Sequence, residues 1–266
     1  MNFFQRLFGQ KPAPAPKQPS TPQPPPAPPA PPAAMPEFPF PLHAAPGSVA
    51  VRQWRTLQAE WRKEGCSALL LGDAKEVQRV AEGVSYNQTP VDKLLEKARS
   101  QKTFGIFRAW LHGMQEYRDP EEPKRRALVA GDWPSYPVEP QELGAHRDVL
   151  KRKPKETVYF AKIPTVHSFE IPAYLQFGNW NACPSPEEHV AILRRWSERF
   201  GLEMYALTGD VIECEIARPP ADRKAALNLA REQYLYCNDI VDQGVGSIAG
   251  LAAILECSAH WYFWWD

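Results

Sequence analysis

The sequence predicts an α+β fold: a mixed sheet with helices packed on it and a terminal aromatic strand interior to that sheet. Three observations predict it. Apolar residues recur at three- and four-residue spacing in several stretches, separated by short apolar runs of strand length. Glycine and proline mark nearly every change of period. The last segment, His260-Trp-Tyr-Phe-Trp-Trp-Asp266, reads as a strand with Trp261, Phe263 and Trp265 on one face. Tyr262, Trp264 and Asp266 take the other face, and two largely apolar faces indicate a strand covered on both sides.

Residues 1–47 are expected to form a disordered proline-rich leader, because 16 of the 29 prolines lie in residues 11–46. Such a segment buries too little apolar surface to offset its ordering entropy and behaves as a semi-stiff polyproline II spacer. Ahead of it, Phe3, Phe4, Leu7 and Phe8 would share one side of a short helix. Residues 1–9 are then either a docking peptide for a partner groove or a membrane surface, or the disordered start of the leader.

An N-terminal α/β subdomain is expected over residues 48–155. Trp54, Leu57 and Trp61 mark a helix that Gly65 can end, and residues 66–71 read as a buried strand. Gly72-Asp73 turns into a helix carrying Val77 and Val80. Thr89-Pro90 resembles an N-cap and first helical position ahead of Leu94, Leu95 and Ala98. Residues 103–117 have helical spacing through Phe107, Trp110 and Met114. Residues 118–125 read as a solvated loop, and the proline-broken stretch 133–155 as the junction of two subdomains.

A C-terminal α+β domain is expected over residues 156–266. It opens with a strand at 157–163. Ser185-Pro-Glu-Glu188 is a helix start with an N-cap serine, an N1 proline and a capping-box glutamate, and Gly201 ends that helix. Residues 202–208 and 211–217 are strands joined across Gly209-Asp210, the second placing Ile212, Cys214 and Ile216 opposite Glu213 and Glu215. The two glutamates are expected to be solvated. A helix over 221–236, a loop over 237–246 and a short helix from Ser247 lead to the terminal strand. Helix, glycine stop, strand and Gly-Asp turn occur at both 61–73 and 196–210, an echo read as shared αβ punctuation.

Lys+Arg and Asp+Glu balance at 31 each, so no net field draws the chain to nucleic acid or anionic lipid. Five scattered cysteines without a C-x-x-C pair fit reduced thiols, neither a disulfide framework nor a zinc pattern. No apolar run has transmembrane length, and Met1–Gly9 carries neither a signal h-region nor a cleavage site. The expected location is cytoplasmic.

Six blocks in order carry a resemblance: Phe177-Gly-Asn-Trp-Asn-Ala-Cys-Pro184, Leu207-Thr-Gly-Asp210, Ala217-Arg-Pro-Pro220, Gln233-Tyr-Leu-Tyr-Cys237, Asp239-Ile-Val-Asp-Gln-Gly244 and Trp261-Tyr-Phe-Trp-Trp-Asp266. Over about residues 173–266 the chain resembles the bacterial domain-of-unknown-function family numbered 4253. The resemblance implies a compact α+β domain and no reaction.

Several residues are candidates for chemistry. Gly244-Val-Gly246-Ser-Ile-Ala249 has a dinucleotide-loop spacing, but only Ile240-Val241 precedes it and Asp239 and Asp242 would repel a pyrophosphate. Cys183 lies just before a helix start, six residues from His189, so the two form either a thiol–imidazole pair or a semi-buried cysteine near a surface histidine. Asp239, Asp242 and Asp266 either converge as a carboxylate cluster for a hard cation or basic group, or serve structure. In the second reading Asp239 and Asp242 cap turns and Asp266 pairs with Arg218 or Arg231. Trp180 and Asn181 are either binding surface or tight packing.

The leading expectation is a non-enzymatic cytoplasmic binding or interaction protein, immunity-like in one version, with a protein partner and no cofactor. Its patch would comprise Trp180, Asn181, Cys183, Asp239, Asp242 and Asp266. The alternative is a hydrolase or transferase using Cys183 and His189, or an aspartate-bound metal.

Overall fold

The structure, a computed structural model, describes residues 36–86, 89–116, 129–148 and 150–266, with the backbone alone for 113–116. The expectations for the leader up to residue 35, for the loop 118–125 and for the Met114 side chain lie outside the described residues. Pro36–Asp266 is one compact unit.

The first half contributes β1 (Leu42–Ala45), α1 (Ala50–Trp61), β2 (Ser67–Gly72), α2 (Ala74–Tyr86), α3 (Val91–Ser100) and α4 (Thr103–Glu116). A small hairpin of β3 (Arg147–Asp148) and β4 (Lys153–Pro154) precedes β5 (Val158–Ile163) and the short α5 (Ile171–Tyr174). Then come α6 (Pro186–Phe200), β6 (Leu202–Leu207), β7 (Val211–Ile216), α7 (Arg223–Tyr236), α8 (Ile248–Cys257) and β8 (His260–Trp264).

Six strands form one mixed sheet in the order β1-β5-β2-β6-β7-β8. β2 and β6 run parallel, with Leu70 opposite Ala206, and the other pairs are antiparallel. The sheet thus crosses position 156, because β1 and β2 share it with β5 to β8. One face carries α1, where Trp54 and Leu57 pack on Leu70, Phe160 and Tyr205. The other carries the larger core, in which α6 and α7 bury Leu193, Trp196 and Tyr236 against Met204, Ile212, Trp261 and Phe263. Helices on both faces of a mixed sheet match the expected α+β class.

Local chemistry explains most boundaries. Ser185 accepts from the Glu188 backbone N–H while the Glu188 carboxylate accepts from Ser185 N–H, completing the capping box. Gly65 and Gly201 end their helices in the left-handed region at φ 78° and 65°. The helix expected from Thr89 begins at Val91 without a side-chain cap. Instead the Thr89 carbonyl accepts from Gln176 Nε2 at 2.8 Å.

Three expectations are corrected. β8 is an edge strand paired only with β7, because the apolar cover on its two faces comes from helices and a passing segment rather than from a further strand. The face alternation itself holds: Trp261, Phe263 and Trp265 are buried, while His260, Tyr262 and Trp264 are half-buried. Residues 42–45, expected within the disordered leader, form β1 on the free edge of β5, with Phe38 and Phe40 packed on the core. Prolines flank that strand at positions 41 and 46 but leave its interior free to pair. Glu213, expected to be solvated, is buried, and its surroundings are described below.

Candidate functional site

The carboxyl ends of the parallel strands β2 and β6 lie side by side, each closed by a Gly-Asp turn, Gly72-Asp73 and Gly209-Asp210. Crevices at such strand ends are the habitual ligand sites of αβ sheets. Here the crevice is a groove of about 320 Å³, lined by Arg79 and Tyr86 of α2, Gly209, and Phe177, Asn179 and Trp180 of the loop between α5 and α6. Arg79 is tied to Glu76 at 3.2 Å and to Asp210 at 3.4 Å. Its guanidinium lies over Gly209, where a Cβ would come within 2.7 Å of Cζ.

The loop wall is unusual backbone. Gln176, Gly178, Asn179 and Asn181 have φ of 52°, 118°, 69° and 45°, four left-handed positions within six residues. Such conformations are costly and persist where surrounding structure enforces them. At Gly178 a Cβ would sit 1.9 Å from the Pro184 carbonyl oxygen, so only glycine fits. Asn179 N–H donates to that same carbonyl at 3.1 Å, and Cys183 N–H to Trp180 O at 2.8 Å. Trp180 meets Phe177 edge-on at 4.8 Å between centroids, and Phe177 meets Trp265 at 6.0 Å. The strand end beyond β8 therefore buttresses the groove wall.

Three of the sequence-derived candidates converge. Asn181 Nδ2 donates to the Asp266 backbone oxygen, and Asp266 N–H donates to Asp239 Oδ2 at 3.0 Å. Asp239 Oδ1 accepts from Gln243 Nε2 at 2.9 Å. Asp242 stands apart from this knot, accepting from Tyr234 Oη and Asn238 Nδ2 at 3.3 Å each. Asp266 pairs with neither expected arginine: Arg218 donates to the carbonyls of Glu198 and Arg199, and Arg231 to Asn228. No group of three or more His, Cys, Asp or Glu able to hold a metal ion occurs among the described residues. The glycine string 244–249 begins inside a π-helical turn, Ile240–Val245, rather than after a strand, and Ser247 caps α8 through Gly250 N–H, so the dinucleotide reading lacks its strand.

Cys183 and His189 do meet, with Sγ 3.4 Å from Nε2. His189 is fully buried on α6, not at the surface. Its Nδ1 lies 2.6 Å from Tyr236 Oη. A neutral imidazole has one N–H and one acceptor. One ring nitrogen therefore donates and the other accepts along the line from Sγ to Oη. Burial opposes the charged thiolate–imidazolium pair that an activated cysteine needs: it pushes His189 down to about 3 and drives the Cys183 thiol well above its ordinary range, with Cys237 adding to the effect. The trio is a neutral, aromatic-lined contact, with Trp265 5.3 Å from the imidazole.

Sequence reasoning missed Arg79, Tyr86 and Gly209. The paired Gly-Asp turns were the available signal, since both end parallel strands at the groove. It also missed Glu213, whose carboxylate is 2 % exposed and accepts from Gly144 and Ala145 N–H across 69 and 68 residues of sequence, a partnership no local pattern encodes.

The comparisons with known proteins bear on the second half of the chain. Residues 159–266 match the family model described as Domain of unknown function (DUF4253). The DUF4253 match starts within β5 and so reaches further toward the N-terminus than the six-block resemblance. It contains the strained loop, the Cys183–His189–Tyr236 trio and the Asn181–Asp239–Asp266 knot, whereas Arg79 and Tyr86 lie outside it. No curated protein and no solved structure matches the chain significantly.

Proposed function

We propose that this chain is a non-enzymatic binding protein of the bacterial cytoplasm, and that its recognition surface is the groove between α2 and the loop 175–184. The observation that carries the reading is the concentration of left-handed backbone in that loop, at the carboxyl ends of the parallel pair. Strain of this kind is tolerated where a surface must be held in one shape. Trp180, half-buried, and Tyr86, 86 % exposed, offer aromatic contact area beside the fixed guanidinium of Arg79. Aromatic and arginine side chains dominate binding energies at protein interfaces. Asn181, next in the chain after Trp180, bonds to the Asp266 backbone oxygen, and a toxin-neutralising, immunity-like role is one form such binding takes. No helix among the described residues is long and apolar enough to cross a membrane.

A photoreactive amino acid placed at Tyr86 or Asn179 in the full chain tests this in cells. A discrete adduct is expected, absent when the probe is moved to the equally exposed Leu150 and weakened by Trp180→Ala. Identical labelling at all three positions would overturn the reading. The 3.4 Å contact of Cys183 with His189 favours a second reading, thiol-based hydrolysis or transfer. The burial of both groups weighs against it, and the rate at which Cys183 reacts with iodoacetamide decides it.

A further inference from the structure

The lining of the groove between α2 and the loop 175–184 restricts what can occupy it. Its single ionised side chain is Arg79, and that charge is already met by Glu76 at 3.2 Å and Asp210 at 3.4 Å. Phe177, Trp180 and Tyr86 supply aromatic surface. Three side-chain donors on the same walls, the Trp180 indole N–H, the Asn179 amide and the Tyr86 hydroxyl, have no partner among the described residues. The lining is therefore aromatic, offers no unopposed positive charge and carries donors that await acceptors.

Each general way of seating a peptide asks something different of such a groove. An added β-strand needs a free sheet edge, but the strands that end here, β2 and β6, are paired on both sides. A phosphorylated or acidic motif needs arginines with charge to spare, and Arg79 already faces two carboxylates. An amphipathic helix keeps its carbonyls bonded within itself, so it would cover the three donors without meeting them. A polyproline II strand differs. Proline lacks the N–H, the backbone makes no internal hydrogen bonds, and the carbonyls stand outward where donors can reach them. Its rings pack on aromatic side chains, and its shape is set before binding, so little ordering entropy is lost.

We propose that the groove takes a proline-rich strand in the polyproline II conformation, uncharged along the stretch it holds, a ligand class that stands only if the groove is the recognition surface named above. Proline rings pack against Trp180 and Tyr86, and the strand's carbonyls accept from the Trp180 indole, the Asn179 amide and the Tyr86 hydroxyl. The left-handed backbone at Gly178 and Asn179 holds Asn179 and Trp180 in place before the strand arrives, which lowers the ordering cost of binding. Sequence of this kind occurs in the chain itself: residues 20–34 hold eight prolines and no charged residue.

Fluorescence anisotropy of a labelled synthetic peptide with the sequence of residues 20–34, titrated with the full chain, tests the ligand class. Because the chain carries that same sequence, the titration is repeated with a full-length variant in which the eight prolines between positions 22 and 32 are replaced by serine. Saturable binding is expected, with an affinity unchanged between about 0.05 and 0.5 M salt because no ion pair forms. Trp180→Ala and Tyr86→Ala should each weaken it about tenfold or more. Tyr86 is 86 % exposed, so its variant keeps the fold should Trp180→Ala lose it. A peptide with glycine in place of every proline should also bind about tenfold more weakly. No binding to either chain, equal binding of the glycine peptide, indifference to Tyr86→Ala or an affinity that falls steeply with salt overturns the proposal. Preferred binding of an acidic peptide of the same length does so too. A cellular adduct at Tyr86 or Asn179 without peptide binding removes the ligand class alone, whereas loss of that adduct as well removes the groove.

Discussion

Trp265 is the residue on which the C-terminal architecture can be tested most sharply. It is 1 % exposed and meets Phe177, His189 and Tyr236 edge-on at 6.0, 5.3 and 5.3 Å between centroids. Its indole N–H reaches the Tyr236 carbonyl at 3.4 Å. Truncating a buried tryptophan to alanine costs about 3–5 kcal/mol through lost transfer energy and the residual cavity. Each favourable ring pair adds about 0.5–1.5 kcal/mol beyond area, which places Trp265→Ala at the upper end, near 4–5 kcal/mol. Trp264 is half-buried on the opposite face, and its loss should cost about 1 kcal/mol. Urea unfolding followed by far-ultraviolet circular dichroism separates the two. With a slope of about 2 kcal/mol/M, Trp265→Ala lowers the midpoint by roughly 2 M and Trp264→Ala by about 0.5 M. Equal costs, or a larger cost for Trp264→Ala, would refute the face assignment and the buttress under the groove wall.

Three further outcomes are expected. Cys183 should react with iodoacetamide far more slowly than a free model thiol at pH 7.5, with no acceleration between pH 6 and 8. A rate above the model thiol would restore the nucleophile reading. Gly178→Ala should destabilise by at least about 2 kcal/mol, given the Pro184 carbonyl in the way and the positive φ, and a melting point within a degree of native would sink that argument. Glu213 should make stability fall as pH rises. Its folded carboxyl titrates near 7 against 4.5 unfolded, so its contribution is complete below 4.5 and lost by about 7, a difference of roughly 3 kcal/mol. Stability curves of native protein and Glu213→Gln should diverge by about that amount between pH 5 and 8, and parallel curves would contradict the shift.

The elements legible in the sequence were those written in local chemistry. The Ser185 capping box, the stops at Gly65 and Gly201 and the alternation of Trp261, Phe263 and Trp265 all depend on neighbours within a few residues. Strand order was not legible. An edge strand covered on both faces carries the same apolar pattern as a central one, so β8 read as interior. β1 hid among prolines because its stability comes from the free edge of β5. Of the candidate site, Asp239 and Asp266 meet, but through the Asp266 backbone N–H, and Asp242, the third acid of the carboxylate reading, stands apart; Asn181 joins them through the Asp266 backbone oxygen. Arg79 and Glu213 were invisible as site residues because Asp210 and Gly144, which bring them to their places in the fold, lie 131 and 69 residues away. Long-range pairings of that kind are set by topology and leave no periodicity to read.

The placement of β2 has a consequence for how this protein can be divided. β2 is wedged between β5 and β6, and it comes from outside the stretch matched by the DUF4253 model. A polypeptide limited to residues 159–266 would hold β5 and β6 with nothing between them, each offering a row of unpaired amides and carbonyls. Exposed edges of that kind recruit strands from other molecules. Such a fragment would therefore stand as a receptor for a donated strand, prone to exchange segments with its own copies until the Ser67–Gly72 sequence is returned to it.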